Sequence, residues 1–177
     1  LSNGVFAVPN DLAPEITFDL GSVQTLDHMK VWNYNEFLAG QPQLLARGLV
    51  VESFGTVCAQ VVQASLREDG YPRVEKVWAA VDCGQVVNPR NAEAQVMGGI
   101  VMGLSAAIHE EITIDKGAVV QSSFTDYPLL TLAETPEIAI EFLPSDAPMG
   151  GLGEPGLPPA APALANALFA ATGKRVR

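Results

Sequence analysis

Cysteine, histidine and basic charge are all scarce in this chain, and each scarcity removes a class of function. Its 177 residues hold two cysteines, Cys58 and Cys83, far apart and without C-x-x-C spacing. No zinc ribbon or dithiol redox site follows from such a pair, and an iron-sulfur cluster needs more. Both read as buried thiols. The two histidines, His28 and His109, lack a second ligand or a Ser/Cys partner at motif spacing, which sets aside a catalytic role for either. Ten basic residues face 20 acidic ones, a net charge of -10, so a phosphate backbone would be repelled over most of the surface and no nucleic-acid partner is expected. Long apolar runs are missing as well. Hydrophobic residues make up 48% and mean hydropathy is +0.21, yet no uncharged apolar stretch approaches the roughly 20 residues that span a bilayer, so no membrane span is expected. Position 1 is Leu1 rather than methionine, and no secretory leader is present. A piece of something longer, or a trimmed chain, is the expectation, and localisation stays open between cytoplasm and periplasm.

The length suffices for a real core, and the chain divides at the polar, turn-forming Gly40-Gln41-Pro42-Gln43. Residues 1–40 hold Trp32, Tyr34, Phe6, Phe18 and Phe37 with strand-like runs at 16–18 and 28–32, which predicts two or three short strands. Residues 41–177 read as α+β: antiparallel hairpins with two main helices. Strands are expected at 45–51, 56–66, 74–81 and 137–142, with Asp69-Gly70 turning one hairpin and 112–120 forming another. Asn88-Pro89 supplies a cap and a first-turn proline for a helix running to about Ile108. Gly98, Gly99 and Gly103 inside it weaken the helix by about 1 kcal/mol each relative to alanine, which points to close approach of another backbone or a ligand. A second helix at 163–171 is ended by Gly173.

The densest chemical signal is Met149-Gly150-Gly151-Leu152-Gly153-Glu154-Pro155-Gly156-Leu157-Pro158-Pro159. Glycines permit unusual backbone angles and leave room for a ligand, prolines stiffen the exit, and one carboxylate stands among them. Flanked by glycine, leucine and proline, Glu154 is expected to be partly desolvated, a setting that suits a general base. The bland alternative is a surface glutamate in a turn.

Residues 150–155, followed by Pro159-Ala160-Ala161-Pro162-Ala163 and the stretch 166–173, resemble the carboxy-terminal signature of the xanthine dehydrogenase/aldehyde oxidase family. The wording is nearest to the large (beta) subunits of isoquinoline 1-oxidoreductase-like enzymes. Further matches fall at 52–56, 81–84, Val87-Asn88-Pro89, 95–99, 120–124 and 126–128, so the resemblance covers about residues 45–177. It implies part of a larger molybdopterin-binding domain in a molybdenum hydroxylase that oxidises N-heterocycles or aldehydes with water-derived oxygen. Glu154 would take the proton from the attacking oxygen, and Gly153 would lie on the cofactor side. Gln95 with Gly98 and Gly99 matches a Gln-x-x-Gly-Gly helix near the cofactor, its amide able to donate and accept; plain helix packing by the glycines is the alternative. Gln121 is a weaker cofactor candidate, and Asp82-Cys83-Gly84 reads as a structural turn. Phe124 and Tyr127 either line a substrate channel or fill a core.

The resemblance also implies molybdenum-molybdopterin in its cytosine dinucleotide form, no protein ligand to the metal, and iron-sulfur clusters on a partner subunit. Family subunits are several times longer, and their upstream cofactor segments are not in this sequence. Residues 1–40 instead resemble the early strands of a discoidin-type β-sandwich. A ligand- or carbohydrate-binding module using Trp32 and Tyr34, or an inert fused fragment, are the competing readings, although adjacent strand positions point such rings to opposite faces.

Overall fold

The computed structural model describes residues 6–7, 15–16 and 45–176, with side chains from Glu52 onward. Trp32, Tyr34, His28, the 40–43 boundary and most of the discoidin-like stretch lie outside the described residues. Phe6–Ala7 (β1) and Glu15–Ile16 (β2) form a small antiparallel pair.

Turn chemistry sets up the main sheet. Leu45–Ser53 (β3) and Thr56–Leu66 (β4) pair antiparallel from Ser53↔Thr56 to Leu45↔Ala64. Only Phe54 and Gly55 join them, at φ of 54° and 75°, the left-handed pair that a two-residue hairpin requires. Pro72–Asp82 (β5) returns antiparallel to β4 after the Asp69-Gly70 turn, where Asp69 Oδ1 accepts from Tyr71 N at 3.0 Å. Asn88 then caps Pro89–Ile108 (α1), its Oδ1 accepting from Asn91 N at 3.1 Å, with proline at the first turn as expected.

Ile114–Asp115 (β6) and Ala118–Val119 (β7) make a short hairpin, and Glu137–Phe142 (β8) joins the sheet parallel to β5. The strand order is β3-β4-β5-β8. A parallel neighbour needs a crossover connection, and α1 lies within it; short apolar runs show no such pairing direction in the sequence. Ala160–Thr172 (α2) starts three residues before its expected position and ends at Gly173, φ 70°, whose N–H returns to Phe169 O at 2.7 Å.

α2 packs on β3 and β4, and α1 packs on α2 and β8. Between helices and sheet lie Cys58, Val62, Ala64, Val77, Ala79, Val81, Val96, Ile100 and Leu104, with Ala160, Ala163, Leu164, Ala167 and Leu168 of α2. The α+β class expected from the sequence is the class found. Even-numbered residues of β4 share this helix-facing side, as strand alternation demands.

Both cysteines are buried and free, in agreement with the sequence. Burial pushes the Cys58 thiol up from 9.0 to about 11 and raises Cys83 as well. Neither should react with a thiol reagent at neutral pH until the chain unfolds. A folded pKa above the unfolded one means that the Cys58 contribution to stability is complete below pH 9.0 and is lost as pH rises toward about 11. Labelling kinetics with a chromogenic disulfide check the first point; rapid labelling of native protein at neutral pH would contradict it.

Candidate functional site

Three stretches apart in the chain, 54–60, 82–84 and 96–103, converge on the glycine-proline loop at 149–157. The turn after β5 takes one end. Gly84, φ 70°, donates to Asp82 Oδ1 at 3.2 Å, while Cys83 O accepts from Gly150 N at 2.9 Å. A Cβ on Gly84 would lie 2.5 Å from Ala147 O and 2.8 Å from Pro148 O, so residues 82–84 are the structural turn the sequence suggests.

The β3–β4 turn holds the near leg of the loop. Phe54 O accepts from Gly151 N at 3.0 Å and Thr56 Oγ1 donates to Gly151 O at 2.7 Å. A Cβ on Gly150 would collide with Thr56 Oγ1 and sit 2.6 Å from Gly55 O.

The far leg is seated on β4 and α1. Gln60 Nε2 donates to Gly156 O at 2.7 Å. A Cβ on Gly156 would lie 2.6 Å from Val96 O, and one on Gly103 would lie 2.6 Å from Leu157 O and 2.8 Å from Ala160 Cβ. Leu157 N closes the turn on Glu154 O at 2.9 Å, and Pro155 and Pro159 are buried beneath it.

Both legs are therefore fixed, and Gly153-Glu154 forms an exposed apex. This corrects the expected partial desolvation of Glu154. Gly153 leaves open space where a Cβ would stand, and Pro155 turns inward, so the apolar neighbours are withdrawn from the carboxylate.

The other sequence-selected residues separate by role. Gln95 and Gly98 lie exposed on α1, and a Cβ on Gly98 would meet nothing within 4 Å. Close approach is thus absent at Gly98 and present at Gly99 and Gly103. Gly99 is buried under the loop, its added Cβ 3.3 Å from Gly156 Cα and from Leu157 N, so its missing side chain makes room for the loop. Gln121 is engaged in its own hairpin: Oε1 accepts from Thr113 N at 2.8 Å and Nε2 donates to Thr113 Oγ1 at 3.0 Å.

Phe124 is 80% exposed and fills no core. The Tyr127 hydroxyl donates to Glu110 Oε2 at 2.9 Å, and that bond raises the tyrosine pKa. His109 lies 3.3 Å from Glu134, whose carboxylate is held below its ordinary range first by the backbone N–H of Thr131. Among the described residues no group of three or more His, Cys, Asp or Glu could hold a metal ion, and no helix is long and apolar enough to cross a membrane.

Thr56 falls in the matched stretch 52–56 without a role assigned to it, and Gln60 is not singled out by the sequence at all. Their signal is faint: two polar residues four apart, at even positions of a valine-rich strand, which alternation places on its buried face.

The fold so defined is that of the molybdopterin-binding domains of molybdenum hydroxylases. Quinoline 2-oxidoreductase from Pseudomonas putida 86 superposes with a TM-score of 0.62 at 26% identity, covering 67% of this chain and 16% of that one. A family model described as a molybdopterin cofactor-binding domain matches residues 34–136, the span that holds β3 to β5 and α1. This chain belongs to that family, in its xanthine dehydrogenase group. It is 34% identical over 157 residues to the isoquinoline 1-oxidoreductase subunit beta of Brevundimonas diminuta, over 88% of this chain and 20% of that protein. It is 42% identical over 111 residues to the membrane-bound aldehyde dehydrogenase [pyrroloquinoline-quinone] of Gluconacetobacter polyoxogenes, over 63% of this chain and 14% of that one. The chain thus spans a fifth or less of the length of these relatives. The family match begins at residue 34, inside the stretch that the sequence reading sets apart as discoidin-like.

Proposed function

We propose that residues 41–177 are the carboxy-terminal portion of the molybdopterin-binding subunit of a molybdenum hydroxylase, with Glu154 as its general base. The observation that carries the reading is the loop itself. The β3–β4 turn, β4, the turn after β5 and α1 seat both of its legs and leave one carboxylate at an exposed apex. The relatives named for isoquinoline and for aldehyde support an N-heterocycle or an aldehyde as the substrate. Molybdopterin, rather than the quinone in the second relative's name, is proposed because the matching family model is a molybdopterin one.

Exposed residues on α1 and at the loop apex suit such a group. Gly98 and Gly153 present bare backbone with nothing where a Cβ would stand, and the Gln95 amide can both donate and accept. These three residues would hold the cofactor, in its cytosine dinucleotide form. Gly99 and Gln121, expected in the same role, instead seat the loop and close the β6–β7 hairpin. Bound there, a molybdenum-pterin group would supply two-electron oxidation of the substrate, with iron-sulfur clusters of a partner subunit as the proposed onward acceptors. This chain's part is the proton: the Glu154 carboxylate takes it from the water-derived oxygen as that oxygen attacks the substrate carbon.

Gly98→Leu in the parent subunit tests the cofactor surface. Molybdenum and pterin content should fall sharply while the melting temperature does not fall, since a Cβ at position 98 meets nothing within 4 Å and leucine is the better helix former. Full loading of Gly98→Leu would place the cofactor elsewhere.

A further inference from the structure

Thr56 and Gln60 are polar side chains in the driest part of the sheet. Both are 0% exposed, and they share the helix-facing side of β4 with Cys58, Val62 and Ala64 of the apolar core. Each directs its donor at a carbonyl of the loop: Thr56 Oγ1 at Gly151 O and Gln60 Nε2 at Gly156 O, both 2.7 Å. Glu154 lies between those two carbonyls in the chain. The stretch 150–156 contains four glycines in seven residues, and glycine-rich backbone does not hold a fixed shape unaided.

Core stability does not explain the glutamine. Its Oε1 is buried without a hydrogen-bond partner among the described residues, which is unfavourable wherever water is excluded. An aliphatic residue of similar volume would avoid that loss. What the amide achieves is the placement of Gly156, as the Thr56 hydroxyl achieves that of Gly151.

We propose that Thr56 and Gln60 are positioning residues that clamp the two legs of the loop and so fix the Glu154 carboxylate for proton transfer. The inference rests on the reading of Glu154 as the base. A base must keep its oxygen within hydrogen-bond reach of the proton it removes, and a misplacement of about 1 Å can lower a rate about 100-fold.

The test uses the whole parent enzyme, with its molybdenum cofactor and iron-sulfur partner, carrying Thr56→Val, Thr56→Ser, Gln60→Leu or Glu154→Gln. Thr56→Val and Gln60→Leu should lower kcat about 10- to 100-fold with KM and molybdenum content unchanged. Thr56→Ser, which keeps the hydroxyl, should restore it. Amide hydrogen exchange at 151–157 should accelerate in the two clamp variants while the rest of β4 and α1 exchange as before. Native kcat and native loop exchange in both variants would overturn the proposal. So would a Thr56→Ser enzyme as slow as Thr56→Val, or a loss of rate that only follows a loss of molybdenum. Should Gln60→Leu fail to fold, the Thr56 pair decides alone. Full turnover in Glu154→Gln removes the base reading separately, and the exchange experiment still answers whether the clamp exists.

Discussion

Gly103→Leu should melt this chain about 4–8 °C below the native sequence, a cost of about 3 kcal/mol less about 1 kcal/mol of helix propensity. A Cβ at position 103 would lie 2.6 Å from Leu157 O and 2.8 Å from Ala160 Cβ. The first is backbone, held by the turn that Leu157 N closes on Glu154 O, and the second is the first residue of α2. Neither can swing aside like the tip of a long side chain. Forcing extra volume into a packed contact costs about 3 kcal/mol, and in a domain of this size each kcal/mol moves the midpoint by roughly 2–4 °C. Leucine is the better helix former by about 1 kcal/mol, so an exposed glycine would gain from the same change. Gly98, on the same helix and facing open space, supplies that control. Thermal unfolding of the two variants side by side checks the account; a Gly103→Leu protein as stable as Gly98→Leu would show that the loop does not sit on α1.

The contrast between these glycines marks where sequence reasoning stops. Three glycines in one helix announce close approach, but only the buried arc of α1, which contains Val96, Gly99, Ile100, Gly103 and Leu104, says which of them face the loop. The helix itself was legible because Asn88, Pro89 and its apolar residues act locally, as Gly173 does for α2. The parallel pairing of β8 with β5 was not, since register between distant strands is a property of the whole sheet. Glu154 stood out because glycine and proline around a lone acid form a local pattern. Its exposure did not, because Pro155 turns inward only when α1 and β4 are in place beneath it. The roles of Thr56 and Gln60 were not legible for the same reason: their partners are 95 and 96 residues away.

The second large effect concerns chemistry. In the complete parent enzyme Glu154→Gln should lower turnover by about 10²- to 10⁴-fold, the usual contribution of a positioned general base. Glutamine keeps the length and planarity of the side chain, and the loop contacts run through the backbone of Gly151, Gly156 and Leu157. The fold and the proposed cofactor surface of Gln95, Gly98 and Gly153 should therefore be untouched. What is lost is the ability to accept a proton. Since that interaction belongs to the transition state, kcat and kcat/KM should fall together.

The most direct measurement is therefore the turnover of Glu154→Gln per bound molybdenum, with metal and pterin quantified in the same preparation. The account predicts native cofactor content with turnover reduced at least about 100-fold. Native turnover at native molybdenum content would contradict it and leave Glu154 a solvent-facing residue of a loop held for some other purpose.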